Sequence, residues 1–292
     1  MPTRRQLLAA SGGLILASTV APLLAEQTTA SSHDALAALE RAAGGRLGVA
    51  LLDTGTGRRM GWQDDARFPM CSSFKWLLAA AVLHAVDHGA IGLHQAVAVQ
   101  AGDIIAHSPY VQTRVDAGTA TVSDLCRATV IESDNAAANL LLPLIGGPAG
   151  LTAFLRSIGD PLTRLDRNEP ALNEAVAGDP RDTTSPRAMV DNLHRLLLGD
   201  VLRVPTRAML TAWLVDNRTG DARIRAGVPA GWIVGDKTGT CGAGAGAAAD
   251  VAVLYPPDRA PLLLAVYVHG ASISGAAMDA LHADVARAVL AP

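Results

Sequence analysis

Aromatic side chains are scarce in this chain of 292 residues, where Phe, Trp and Tyr together amount to 3%. Half of the residues are hydrophobic, so a substantial core is available, but it has to be built mainly from Ala, Leu and Val. Runs of basic residues are also missing. With a formal net charge of −3 there is no stripe of positive charge to neutralise phosphates, which excludes nucleic acid as a partner and favours small-molecule chemistry. Lysine itself is almost absent. Only Lys75 and Lys237 stand among 24 basic residues, each inside a short motif rich in hydroxyls. Arginine stays charged and cannot hand on a proton, whereas a buried lysine shifts its pKa readily, so the amine is read as chemically required at both positions.

A long uninterrupted apolar run is lacking as well. The start, Met-Pro-Thr-Arg-Arg, leads into a modestly apolar stretch broken by Gly12, Gly13, Ser18 and Pro22, which reads as an export signal and not as a membrane anchor. The Arg4-Arg5 pair points to the twin-arginine route, with an ordinary secretory signal as the alternative. Cleavage is expected after Ala25, or else after Ala30, leaving residues 26–292 as a mature protein outside the cytoplasm, periplasmic or secreted, free of the membrane and monomeric. Three cysteines, Cys71, Cys126 and Cys241, allow at most one internal pair in that compartment. Cys126 lies among apolar neighbours at helical spacing and reads as a small buried hydrophobe.

The pattern along the chain predicts a helix from Ser32 through Ala43, a strand over Arg46 to Asp53, and a Thr-Gly-Thr-Gly turn returning it as a hairpin through Trp62. Helices are expected at Ser72 to Val86, Thr121 to Ile131, Asn135 to Leu144, Pro148 to Ile158, Pro186 to Leu198 behind a Ser185 cap, and Pro205 to Val215. Strands at Trp232 to Thr240, Val251 to Tyr255 and Leu262 to Val268 precede a last helix from Ala276 to Leu290. Strands from both ends must then share one antiparallel sheet of five, flanked by the terminal helices, with an all-helical lobe inserted: an α/β (α+β) fold. The sheet lobe is expected at about 33–68 and 219–292, the helical lobe at about 69–218. The polar stretch from Gly159 to Ser185 is long enough to be a functional loop.

Four motifs carry chemistry. In Ser72-Ser73-Phe74-Lys75 a helix sets the Ser72 hydroxyl and the Lys75 amine on one face, within reach of a nucleophile and its proton acceptor. The apolar neighbours Phe74, Trp76, Leu77 and Leu78 argue against a freely solvated amine. Ser133-Asp134-Asn135 sits between two helices, where serine and aspartate commonly cap. Lys237-Thr238-Gly239-Thr240 ends an apolar strand and combines a charge, two hydroxyls and a glycine into a plausible carboxylate cradle. The long loop carries Glu169 and Asn173.

In this order, over essentially the whole mature chain, the set resembles the class A serine β-lactamases, whose known motifs include Ser-x-x-Lys, Ser-Asp-Asn and Lys-Thr-Gly. The resemblance implies that Ser72 attacks the lactam carbonyl and that either Lys75 or Glu169, through a water, takes its proton. It implies an oxyanion hole from the backbone N–H groups of Ser72 and Thr240. Ser133 is implied to protonate the departing nitrogen, and Asn135 to hold the acyl side chain. Lys237, Thr238, Gly239 and Thr240 are implied to bind the substrate carboxylate. Glu169 and Asn173 are implied to activate the water that frees the acyl-enzyme. No cofactor or metal is implied. Cys71 and Cys241 resemble the pair joined by a disulfide in class A carbapenemases, and Arg223 the residue that aims a guanidinium at the substrate carboxylate there, which extends the expected spectrum to carbapenems. Arg167 with Asp182, and Arg164 with Asp166, look like ion pairs pinning the loop. His107 stands where the family commonly has an aromatic gate.

Other signals are discounted. His84 and His88 lie one helical turn apart without a third ligand, and the run Gly242-Ala243-Gly244-Ala245-Gly246 leads to a strand and not to a helix, so neither a metal nor a nucleotide site is expected. A peptidoglycan carboxypeptidase or transpeptidase shares three motifs but lacks the loop glutamate, and a β-lactam sensor needs a membrane helix to signal through.

Overall fold

The computed structural model describes residues 20–242 and 244–291. The expected export signal falls on residues 1–25, of which 1–19 lie outside the described residues. Helix α1 (Val20–Ala43) starts upstream of the expected cap at Ser32, whose hydroxyl donates instead to the carbonyl of Ala288 at 3.1 Å and ties α1 to the last helix. Strands β1 (Arg46–Asp53) and β2 (Arg59–Trp62) form the expected hairpin, turned through Gly57 at φ +73°. The two-residue β3 (Phe68–Pro69) leads to a short 3₁₀ turn, Cys71–Ser73, that runs directly into α2 (Phe74–Asp87).

The middle of the chain is largely helical. It contains β4 (Ala96–Ala98), β5 (Thr119–Thr121), α3 (Val122–Ile131), α4 (Asn135–Leu141), α5 (Gly147–Ser157), β6 (Thr183–Thr184), α6 (Pro186–Leu193), α7 (Val204–Val215) and α8 (Ile224–Gly227). Local chemistry sets the helix starts: Thr121 accepts from the Asp124 amide at 3.1 Å and Ser185 from the Ala188 amide at 3.2 Å. Strands β7 (Ile233–Thr240), β8 (Ala248–Tyr255) and β9 (Leu262–His269) and helix α9 (Gly275–Leu290) complete the fold.

The main sheet is antiparallel with order β2-β1-β9-β8-β7, so the first and last parts of the chain do pair. Side-chain alternation gives it two buried faces. Leu47, Val49, Leu264 and Val266 meet Leu36 of α1 and Val285 of α9 on one side, while Ala50, Leu52, Leu263, Ala265 and Tyr267 join the large cluster that contains α2, α3 and α4 on the other. Covering on both faces explains why β8 and β9 read as continuous apolar runs. At β1, Gly48 leaves room for the Phe68 ring, because a Cβ there would lie 2.3 Å from it. Small pairings, β3 with β6 and β4 with β5, were not expected from the sequence; each is two or three residues long, too short to show alternation.

Candidate active site

The site lies where the turn before α2, the α3–α4 junction, the loop 159–185 and strand β7 converge. Ser72 is in the 3₁₀ turn, and α2 behind it is apolar on every side, so Lys75 points from a buried helix face and is wholly inaccessible. Its Nζ donates to Ser72 Oγ at 3.0 Å, to the Ser133 carbonyl at 2.7 Å and to Asn135 Oδ1 at 2.5 Å, with Ser133 Oγ at 3.4 Å. Glu169 Oε1 stands 3.2 Å from the same amine and 3.5 Å from Ser72 Oγ. Burial lowers the Lys75 pKa, against which Glu169 and then Asp134 act to raise it. A hydroxyl set between an amine and a carboxylate in this way has two groups to which its proton can go.

Asp134 organises the α3–α4 junction. One carboxylate oxygen caps α4 through the Ala137 amide at 2.8 Å, and the other accepts from the amides of Tyr110 and Val111 at 2.9 and 3.0 Å. The backbone of Ser133 is left-handed at φ +58°. Asn135 Nδ2 donates to the Ala106 carbonyl at 2.8 Å, and the Asn135 amide donates to the His107 carbonyl at 2.9 Å, so the His107 loop is held to α4. The His107 ring itself is turned to the Glu132 carbonyl at 2.8 Å, which accepts from Nε2.

In the loop, the Glu169–Pro170 peptide is cis. Asn139 of α4, which the sequence reading did not single out, clamps the Glu169 backbone from both sides, with its Oδ1 3.0 Å from the amide and its Nδ2 2.9 Å from the carbonyl. Asn173 Nδ2 donates to Glu169 Oε2 at 2.5 Å, and the buried Asn173 Oδ1 has no hydrogen-bond partner among the described residues. Both expected ion pairs are present: Arg167 Nε reaches Asp182 Oδ2 at 2.6 Å, and Arg164 Nη2 reaches Asp166 Oδ1 at 2.5 Å. Asp182 also accepts from the amides of Asp166 and Arg167, so one buried carboxylate fastens the loop's entry to its exit.

Strand β7 supplies the other wall. Lys237 is wholly buried and donates to Ser133 Oγ at 3.1 Å and to the Thr238 carbonyl at 2.8 Å. Burial, and next the charge of Lys75, lower its pKa to about 7. Gly239 lets β7 press against the Ser72 turn, since a Cβ there would lie 2.6 Å from the Met70 carbonyl and 3.1 Å from the Ser72 amide nitrogen. The Cys71–Cys241 disulfide joins the same two segments, and Cys126 is the free, buried thiol, its pKa raised by burial. Arg223 is buried behind the strand: Nη2 donates to Thr240 Oγ1 at 2.7 Å, Nη1 to the carbonyls of Gly239 and Ala249 at 2.8 Å each, and Nε to Asp279 at 2.7 Å. Thr219, also unforeseen, sets its hydroxyl 2.5 Å from that of Thr238. Ser72, His107, Ser133, Asn135, Asn173, Arg223, Thr238 and Thr240 line one cleft of about 320 Å³, while Lys75, Glu169 and Lys237 are buried behind that lining. Among the described residues no cluster of His, Cys, Asp or Glu could hold a metal.

The profile of the β-lactamase enzyme family matches residues 31–291. The chain belongs to the class A β-lactamases. It is 49% identical over 287 residues to β-lactamase L2 of Stenotrophomonas maltophilia, covering 94% of this chain and 93% of that one. It is 46% identical over 281 residues to the carbapenem-hydrolysing β-lactamase KPC of Klebsiella oxytoca, with 95% of each covered. Among solved structures, a reconstructed last common ancestor of Gram-negative class A β-lactamases superposes with a TM-score of 0.87 at 56% identity, covering 90% of this chain and 98% of that one. A β-lactamase from Xanthomonas campestris gives 0.87 at 51%, with 90% and 97% covered. The enzyme is accordingly a β-lactam hydrolase, and the serine mechanism is general to its class.

Proposed function

We propose that Ser72 is the nucleophile of this β-lactamase and that Glu169 drives release of the acyl-enzyme. The observation that carries the reading is the position of the Ser72 hydroxyl, 3.0 Å from the Lys75 amine and 3.5 Å from Glu169 Oε1. Ser72 loses its proton to this amine–carboxylate pair and attacks the lactam carbonyl, whose oxygen is received by the backbone N–H groups of Ser72 and Thr240; one such donor is worth about 100- to 1000-fold. The Ser133 hydroxyl, between the two lysines, passes a proton to the departing nitrogen. Asn135 holds the acyl side chain, and Lys237, Thr238, Gly239 and Thr240 bind the substrate carboxylate, with Arg223 fixing the Thr240 hydroxyl from behind. Glu169, aligned by Asn173, then activates the water that cleaves the ester, which gives a ring-opened product and restores Ser72.

The spectrum is broad and includes carbapenems. The bridge between Cys71 and Cys241 and the high identity to a carbapenem-hydrolysing relative support that extension. The protein is exported by the twin-arginine route, cleaved after Ala25, and works as a monomer outside the cytoplasm. The test is to mix the mature protein with a chromogenic cephalosporin and follow colour and intact mass together. Sustained turnover without lasting adduct is expected; a stoichiometric adduct that persists in the unmodified enzyme contradicts the hydrolytic cycle. Parallel assays with a penicillin and a carbapenem test the spectrum, and no carbapenem turnover restricts it.

A further inference from the structure

A second cavity, of about 140 Å³, opens between the loop 159–185 and one end of the main sheet. Its walls carry four guanidiniums, those of Arg46 at the start of β1, Arg67 just before β3, and Arg167 and Arg181 of the loop; His269 at the end of β9 also lines it. A single carboxylate, Asp179, is on the wall. The four cations fall into two kinds. Arg167 is paired with Asp182 at 2.6 Å and with Glu174, and Arg181 holds Asp179 at 2.6 Å, pulling that carboxyl's pKa down to about 2. Their charges are matched within the loop.

Arg46 and Arg67 are not matched. Neither has an ion-pair partner among the described residues. Arg46 stands over the Phe68 ring, 4.7 Å from its centroid, and makes one long bond to the Arg67 carbonyl at 3.5 Å. Arg67 uses Nη1 for the Leu162 carbonyl at 3.1 Å and for Thr183 Oγ1 at 2.9 Å. Burial and then the neighbouring charges of Arg164 and Arg156 lower its pKa, with Asp160 and Asp166 opposing, so positive charge is crowded at this corner. Two unmatched planar forks beside a small cavity suit a compact anion with several acceptor oxygens, because each guanidinium can bind two oxygens at once.

We propose that this cavity is a binding site for a small doubly charged oxyanion of the phosphate class, held by Arg46 and Arg67 and stabilised by the field of Arg167 and Arg181. A dianion balances the two unmatched charges. Because Arg46 and His269 belong to the sheet while Arg167 and Arg181 belong to the loop carrying Glu169, the bound anion fastens that loop to the sheet. The inference is independent of the catalytic roles proposed above.

Thermal unfolding in sodium phosphate at pH 7, against sodium chloride of equal ionic strength, tests it. A saturable rise in Tm is expected with phosphate alone, about 3 °C at ten times the dissociation constant for a protein of this size. Arg46→Gln, whose side chain makes one long hydrogen bond among the described residues, keeps the fold and loses most of that rise; the double variant with Arg67→Gln keeps only the part contributed by anion binding at the active site. The carboxylate cradle of the active site can also take an anion, so inhibition of hydrolysis by phosphate is measured in parallel and is expected to be equal in the wild type and Arg46→Gln. Vesicles containing phosphatidylglycerol should leave Tm unchanged. An equal phosphate response in Arg46→Gln and wild type, an equal response to chloride, or a response to vesicles without one to free phosphate overturns the proposal.

Discussion

Lys75 and Lys237 are both wholly buried and both approach the Ser133 hydroxyl, at 3.4 and 3.1 Å. Around Lys75 stand acceptors from Ser72, Ser133 and Asn135, which come from two segments, and the carboxylate of Glu169 at 3.2 Å. Around Lys237 there are one hydroxyl and one carbonyl in contact, with the carboxylates of Asp236 and Asp250 acting only through space. The first amine therefore belongs to a network in which protons can be exchanged with a hydroxyl and a carboxylate. The second has no carboxylate in hydrogen-bond contact among the described residues, and burial, then the charge of Lys75, lower its pKa to about 7. One residue type thus stands in two different electrostatic settings because the neighbours differ.

The sharpest way to break this comparison is to remove one amine at a time. Lys75→Ala is expected to slow formation of the acyl-enzyme by about 100- to 10,000-fold, the usual span for a lost proton acceptor, read as the burst rate with a chromogenic cephalosporin. A burst as fast as in the unmodified enzyme removes Lys75 from acylation. Next in size is Glu169→Gln, which should leave the burst largely in place and slow release by a comparable factor, so that the drug-bearing mass accumulates. Steady turnover at the parental rate in that variant shows that the carboxylate is not the water-activating group.

Lys237 calls for a pH profile. Its pKa is lowered to about 7, so in the empty enzyme the amine loses its charge as pH rises through that value. kcat/KM for a carboxylate-bearing substrate, which reports the free enzyme, should fall above about pH 7, by up to about tenfold per pH unit. Lys237→Arg keeps its charge and should move that basic limb upward. An unmoved limb assigns the titration to another group.

The smallest expected effect is on the frame. Thiol counting on the unreduced protein should give one free cysteine, Cys126. Replacing Cys71 and Cys241 by Ser should lower stability by about 2–4 kcal/mol, because the bridge closes a separation of 170 residues. An unchanged Tm in the double variant shows that Gly239 packing alone holds the two walls together.

Legibility in the sequence followed the range of the signal. The β1–β2 hairpin and the helix behind Thr121 could be read because the pattern and the cap lie within a few residues. The start of β8 at Ala248, three residues earlier than expected, was hidden in an Ala/Gly run that carries no strand preference, and α1 begins at Val20, upstream of Ser32, whose hydroxyl bonds to α9. Ser72, Lys75, Ser133, Glu169 and the Lys237 strand were legible as motifs, two of them marked by the only lysines. Asn139 and Thr219 were not, since each acts on a residue 30 or 19 positions away and looks ordinary among its neighbours. Arg223 was read as supplying a guanidinium toward the substrate carboxylate; it lines the cleft, and the two carbonyls, the hydroxyl and Asp279 that hold its guanidinium are a partner set that only the packing of α9 on the sheet could reveal.

Peptide mapping of Glu169→Gln after exposure to benzylpenicillin tests the central claim most directly. The drug mass is predicted on the peptide that contains Ser72, and its loss is predicted when Ser72→Ala is added. A drug mass on any other peptide, or one that survives Ser72→Ala, contradicts it.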